Sequence, residues 1–214
     1  MIENTVQKIS KHEMRTRATR ELLLQAAETV FARDGYERAE LGAIATLAGR
    51  TKGAIYAQFK SKEDVFLALV TKRVGCYRAE VEELLRRSSN REESLAAFRQ
   101  YCLRFAFDQS WALLMMEYKL YVIRHPDAKA AHLLFRSEMT SGDRERGLTR
   151  IFGPAGTGQG ALSRAVGIEM VYSLLLALAV DMRFSSEAPN HEVVNNIANR
   201  IFDALLDTAA QPES

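Results

Sequence analysis

Four prolines and twelve glycines are all that punctuate 214 residues. A chain with so few helix breakers is pushed toward a mostly helical fold. No stretch alternates with period two long enough to make a convincing strand, so the fold class read from the sequence is all-α. The length allows one large domain, or a small and a medium one, with enough chain for a real core. With 47% hydrophobic and 26% charged residues, the composition is that of a soluble globular protein and excludes collagen-like, disulfide-scaffold and wholly disordered chains.

Cys76 and Cys102 are the only cysteines. Their spacing excludes a zinc ribbon or disulfide framework, and each reads as a small buried hydrophobe in a reducing compartment. Met1 to Thr5 has no apolar signal region. The most apolar stretch, Met170 to Val180, has 11 residues, against the about 20 a spanning helix needs. The expectation is a cytoplasmic protein without a membrane partner.

Charge is uneven. Residues 1–60 hold ten basic groups against seven acidic ones, and five of the ten lie between Lys8 and Arg20. Next to this bias, Leu23, Ala26, Ala27, Val30 and Phe31 repeat at i, i+3, i+4, i+7, i+8, predicting an amphipathic helix from Arg17 to Arg33 closed by Gly35. Leu41, Ile44, Ala45 and Ala48 predict a second, two-turn helix over Glu40–Ala48. Gly49 then offers a left-handed turn position, Thr51 an N-cap, and Lys52–Phe59 a third short helix. Ser61 to Asp64 resembles a capping box and opens a proline-free run from Val65 to Leu85 that links two domains. Further helices are predicted over Leu95–Phe107, Trp111–Ile123 (ended by His125-Pro126), Asp127–Phe152, Ala161–Arg183 and Glu192–Thr208, about nine in all. Gly153 to Gly160 is read as a loop.

Two short helices joined by a tight glycine turn make a helix-turn-helix. Its second helix must be short, begin with small residues and present its N-terminal end to base edges in the major groove. Lys52-Gly53-Ala54 meets that demand: a lysine for an acceptor-rich groove floor, then two residues small enough for close approach. Free amides at the helix start favour phosphate.

From about Arg17 to Val70 the chain resembles the TetR family of transcriptional repressors. The motif that carries the resemblance is Ala48-Gly49-Arg50-Thr51-Lys52-Gly53-Ala54-Ile55-Tyr56-Ala57-Gln58-Phe59-Lys60-Ser61-Lys62-Glu63, with Ala26-Ala27, Phe31, Gly35-Tyr36 and Ile44-Ala45 before it. Around the helix-turn-helix the wording is most similar to efflux-pump repressors of that family. The resemblance implies phosphate contacts at Thr51, Tyr56 and Lys62, base reading by Lys52, Gly53 and Gln58, with Arg50 and Ala54 completing the DNA-binding set. The alternatives are a packing role for Tyr56, a solvated charge for Lys62 and plain exposure for Gln58. Three positions depart from the pattern. Arg50 replaces a usual valine and is left either to snorkel or to add a phosphate contact. Ala39-Glu40 stands where threonine or serine is common, and Ala57 replaces a bulkier residue.

The domain reading is a flexible basic arm over 1–15, a helix-turn-helix domain over 16–75 and a helical effector-binding and dimerisation domain over 76–214. The arm either follows the DNA or adds only salt-sensitive affinity. In the body, Phe98, Tyr101, Phe105, Phe107, Trp111, Tyr118, Tyr121 and Phe135 are eight of the chain's aromatics, with Met115, Met116 and Met139 near them. They form either a bundle core or the wall of a pocket; the resemblance implies a pocket somewhere. The ligand-binding candidates are Tyr101, Phe105, Trp111, Met115, Glu117, Tyr118, Tyr121 and Phe135, with Gln109, Arg104 and His132 as further polar anchors, for a small hydrophobic effector. Met170, Leu174, Leu178, Ile197, Ile201 and Leu205, along with Leu175, supply stripes wider than one-sided packing requires. The resemblance implies that this helix pair forms the interface of a homodimer, and two reading heads then demand palindromic double-stranded DNA.

Enzyme readings lose. Gly156 to Gly160 follows a helix rather than a strand and lacks the lysine of a phosphate loop. His125 and His132 have no ligand set around them, and no nucleophile-elbow or kinase signature appears. No cofactor, metal or catalytic residue is expected. The competing classes are a helical small-molecule-binding protein with a degenerate helix-turn-helix, and an activator in place of a repressor.

Overall fold

A computed structural model describes residues 10–126, 148–149, 151–152, 159–184 and 190–206. Eight α-helices occur among them: α1 (Lys11–Arg38), α2 (Leu41–Leu47), α3 (Lys52–Tyr56), α4 (Lys62–Arg87), α5 (Arg91–Leu103), α6 (Gln109–Arg124), α7 (Gln159–Asp181) and α8 (His191–Leu206), with a 3-10 turn at Arg104–Ala106. The all-α expectation holds. The chain divides into two compact units, Met1–Val70 and Thr71–Ser214. The division falls inside α4, between Val70 and Thr71.

The first unit is built on α1, which starts earlier than the apolar pattern. Ser10 accepts from the Glu13 amide at 3.1 Å while Glu13 accepts from the Ser10 amide at 2.7 Å. This reciprocal capping box satisfies two end donors that would otherwise face water. Residues 11–15, expected in a flexible arm, are therefore the first helical turn; residues 1–9 lie outside the described part. Leu23, Ala27, Val30 and Phe31 are buried along one face. At Gly35 the backbone turns to φ 74°, ψ 167°, a region essentially closed to residues with a Cβ. That break brings Tyr36 back inward: Phe31 and Tyr36 both pack on Phe66 of α4, with ring centroids 4.9 and 4.8 Å away. Gly49 (φ 63°) makes the turn between α2 and α3 as expected. The third helix is shorter than Lys52–Phe59: it ends at Tyr56, and Phe59 is buried just beyond it.

In the second unit, α5 begins at Arg91 because Asn90 caps it, accepting from the Glu93 amide at 2.8 Å. Only Ser88, Ser89 and Asn90 separate α4 from α5. Asp108 caps α6 through the Trp111 amide, at 2.9 Å. Gln159 and Gly160, expected in a loop, open α7. On α8, Val194, Ala198 and Phe202 are buried at i, i+4, i+8, and Phe202 packs edge-on against Phe98 of α5 at 5.8 Å. The predicted helix Asp127–Phe152 and the loop from Gly153 lie largely outside the described residues, though Leu148, Thr149, Ile151 and Phe152 are helical. Among the described residues no helix is long and apolar enough to cross a membrane.

Candidate functional site

The helix-turn-helix presents the N-terminal end of α3 outward. Thr51 is its N-cap, with Oγ1 accepting from the Ala54 amide at 3.3 Å. Lys52, Gly53 and Arg50 are exposed, Ala54 and Gln58 are half-buried, and Tyr56 is 60% exposed. Ile55 and Phe59 point inward, so the one-turn spacing that separates packing from presenting residues is the one expected. An aromatic so exposed has no packing role here, which removes the core alternative for Tyr56. The Lys52 side chain lies back over Gly42 of α2, whose added Cβ would meet Lys52 Cε at 2.8 Å. Any larger residue at 42 would therefore push the lysine out of its present path.

Two cations behave differently from the expectation. Lys62 Nζ donates to the Glu37 carbonyl at 2.8 Å and sits 4.8 Å from the Tyr36 ring centre. It ties the end of α1 to the start of α4, so the solvated-charge alternative fails and one of its three donors is already engaged. Arg20, the last of the five basic residues clustered from Lys8, donates from Nη1 to the Gln58 carbonyl at 3.1 Å and sits over the Phe59 ring. Neither link could be found from local spacing, because the partners are far away in sequence. Arg50 stays exposed, donating only to the Gly49 carbonyl, so it does not snorkel into the turn. Glu40 stands at the N-cap of α2 without a capping hydrogen bond.

In the body, Tyr101, Phe105, Trp111, Tyr118 and Tyr121 are all buried, whereas Met115 and Glu117 are half-buried. Phe135, His132 and Met139 lie outside the described residues. Three of the candidates gather around Tyr77 of α4: Phe105 at 4.7 Å, Trp111 at 5.0 Å and Tyr101 at 6.3 Å between ring centres. Tyr172 of α7 closes on Phe105 at 5.1 Å. These rings pack on one another as one buried cluster. Tyr121 instead stacks on His125. Arg104 is exposed and paired with Glu80. An open groove of about 550 Å³ is lined by Arg104, Phe107, Asp108, Gln109, Ser110 and His191.

Asp108 joins the groove to the ring cluster, and sequence reasoning missed it. Its Oδ2 accepts from Arg73 at 2.7 Å and from Tyr77 Oη at 2.6 Å, while Oδ1 caps α6. The Asp-x-x-Trp order at a helix start was the available signal. Burial pushes this carboxyl's pKa up, but the bonds from Tyr77 and the Trp111 amide, together with the Arg73 charge, outweigh it and hold the pKa below the usual aspartate value. A lowered folded pKa contributes stability that is present above the unfolded value of about 3.9 and is lost as pH falls through the folded one. Asp108→Asn should therefore cost about 1–2 kcal/mol at pH 7. In urea unfolding the gap to the parent should close below about pH 4; an equal gap at pH 3 would show that the charge is not its source.

Of the six interface candidates, Met170, Leu174 and Ile197 are exposed (46, 41 and 43%). Leu178 and Ile201 are half-buried within the unit, and the Leu205 side chain lies outside the described part. Val166 and Val193, not singled out from the sequence, are equally open. Val166, Met170 and Leu174 form one stripe at i, i+4, i+8 on α7, and Val193 and Ile197 another on α8. Among the described residues no cluster of three metal-ligating side chains occurs.

Residues 23–69 match the family model for bacterial regulatory proteins, tetR family. The fatty acid metabolism regulator protein of Bacillus subtilis (strain 168) is 26% identical over 117 residues, which are 55% of this chain and 56% of that protein. The HTH-type transcriptional repressor BepR of Brucella suis biovar 1 (strain 1330) is 46% identical over 52 residues, 24% of this chain and 25% of the relative. The matched stretch thus spans about half the length of the first relative and a quarter of the second. A crystal structure of the transcriptional regulator FadR from Bacillus subtilis in complex with stearoyl-CoA has the same fold, with TM-score 0.56 at 18% identity over 87% of this chain and 97% of that one.

Proposed function

The chain belongs to the TetR family of bacterial regulatory proteins through its residues 23–69, and on that premise we propose that it is a ligand-responsive, sequence-specific DNA-binding regulator. In this reading it is a cytoplasmic repressor that leaves a palindromic operator when a small hydrophobic effector binds. The observation that carries the reading is the capped start of α3, where Lys52, Gly53 and Tyr56 stand exposed while Ile55 is buried and Ala54 half-buried. Thr51 and Tyr56 take phosphates and fix the register. Lys52 and Gln58 read base edges, with Gly53 and Ala54 allowing the approach. Arg50 adds a phosphate contact, and Lys62 offers its remaining donors. The exposed stripes of α7 and α8 join two protomers, so that two heads meet two half-sites. No catalytic role is assigned to any residue.

The effector half of the reading rests on the body. A ring cluster beside an open groove suits an apolar ligand with a polar end, with Tyr101, Phe105, Trp111, Met115, Tyr118 and Tyr121 as its apolar surroundings and Glu117 as a polar anchor. One relative is named for fatty acid metabolism and a protein of the same fold holds stearoyl-CoA, which makes long-chain acyl compounds the first to try. Ligand that parts the rings moves the start of α6. Asp108 carries that movement to Arg73 and Tyr77 on α4, the helix whose first turns also bury Val65, Phe66 and Leu69. Couplings of this kind are about 1–3 kcal/mol. The test is to titrate stearoyl-CoA and shorter acyl compounds into the protein–operator complex, following ligand by calorimetry and DNA by anisotropy. Release of DNA at the ligand concentration that saturates the protein supports the reading. Saturating ligand that leaves operator affinity unchanged ends the regulatory half of it.

A further inference from the structure

The contacts of Arg20 carry a separate conclusion, which rests on the DNA-binding reading and deepens it: we infer that Arg20 is a positioning residue for base recognition rather than a phosphate contact of a basic arm. Helix α3 has only five residues, too few to hold its own end rigidly. Gln58, the residue aimed at base edges, lies two positions beyond that end. What holds it is partly local, since the Gln58 and Phe59 amides both donate to the Ile55 carbonyl. The Gln58 carbonyl itself receives the Arg20 Nη1 from α1, 38 positions away at 3.1 Å. The same guanidinium sits over the buried Phe59 ring, its carbon 4.3 Å from the ring centre.

One planar cation therefore grips two consecutive residues at the close of the reading helix. The grip uses the two properties lysine lacks, a flat face that stacks and a fork with a fixed donor direction. Arg20 is half-buried, and its polar edge is turned to a carbonyl, so its charge is already directed inward. Its neighbours toward the N-terminus, Lys11, Arg15 and Arg17, are exposed and remain available to phosphates.

The two roles leave different marks on DNA binding. A phosphate contact contributes about 0.9 to the slope of log affinity against log salt and nothing to sequence preference. A positioning residue contributes to preference and nothing to the slope. The experiment uses a duplex that the parent protein selects from a random pool, with its shuffled sequence as control, and measures both quantities for the parent, R20K, R20Q and F59L. Far-ultraviolet circular dichroism checks that each is folded. The inference expects R20K, R20Q and F59L each to lose about tenfold of the preference, with the salt slope of R20Q unchanged. F59L keeps every charge, so its loss would locate the effect in the stacked geometry. Parental preference in R20K overturns the inference, and so does a slope in R20Q reduced by about 0.9 with R20K restoring it. A parent protein that selects nothing from the pool overturns the DNA-binding reading itself, and the inference with it.

Discussion

Gly53→Leu is expected to weaken operator binding at least about 100-fold, about 2.7 kcal/mol, while leaving the protein as stable as its parent or slightly more so. Gly53 is exposed in the first turn of α3, and an added Cβ there meets nothing closer than Thr51 Oγ1 at 3.7 Å. Its backbone lies outside the left-handed region, so a leucine is accepted without strain. Replacing glycine inside a helix even favours the folded state by up to about 1 kcal/mol. The only surface the leucine can obstruct is the one proposed to enter the groove. Stability and binding should therefore move apart: fluorescence anisotropy reports the loss and thermal melting reports no fall. A variant that binds as tightly as the parent would remove the start of α3 from the interface.

The double substitution Met170→Glu with Ile197→Glu is expected to turn a dimer into a folded monomer and to lower operator affinity by about 10²–10⁴-fold. Both side chains are nearly half exposed within the unit, so charging them leaves the internal packing of α7 and α8 in place. In a two-fold interface each substitution appears twice, and four carboxylates then face apolar side chains without partners. The affinity loss follows because a tethered second head binds at high effective concentration and a free one does not. Sedimentation equilibrium measures the first effect and anisotropy the second. A variant that stays dimeric would place the contact between protomers elsewhere.

The reading head was open to sequence analysis because its constraints are local. Gly49 sits where a left-handed turn is required, and Ile44, Ala45, Ile55 and Phe59 repeat at spacings that need no partner to be recognised. Tyr36 depends on Gly35 in the same way. The misreadings come from two other sources. Ser10 and Glu13 spell a capping box, but the basic charges around them suggested an arm, and a reciprocal cap outranks charge in deciding where a helix starts. Arg20 and Lys62 look like solvated cations until the fold brings the Gln58 and Glu37 carbonyls to them; separation in sequence hides such bonds.

In the body the ambiguity is of a different kind. Periodicity places Tyr101, Phe105 and Trp111 on inward faces and cannot say whether they face one another or a ligand. Here they face Tyr77. Tyr77 itself was visible only as one apolar position of a long helix, although its hydroxyl is the hinge of the Asp108 network. The α7 and α8 stripes were found at Met170, Leu174 and Ile197 because they are wider than a single contact needs. Leu178 and Ile201 share that period and are half-buried within the unit.

Selection of DNA from a random pool by the purified full-length protein, followed by hydroxyl-radical footprinting on the enriched duplex, tests the central claim most directly. The account predicts enrichment of an inverted repeat, with protections related by a dyad and half-sites spaced by the helical repeat of DNA, and with two protomers bound per repeat. Equal binding to enriched and shuffled duplexes, falling steeply with salt and leaving no footprint, would contradict it.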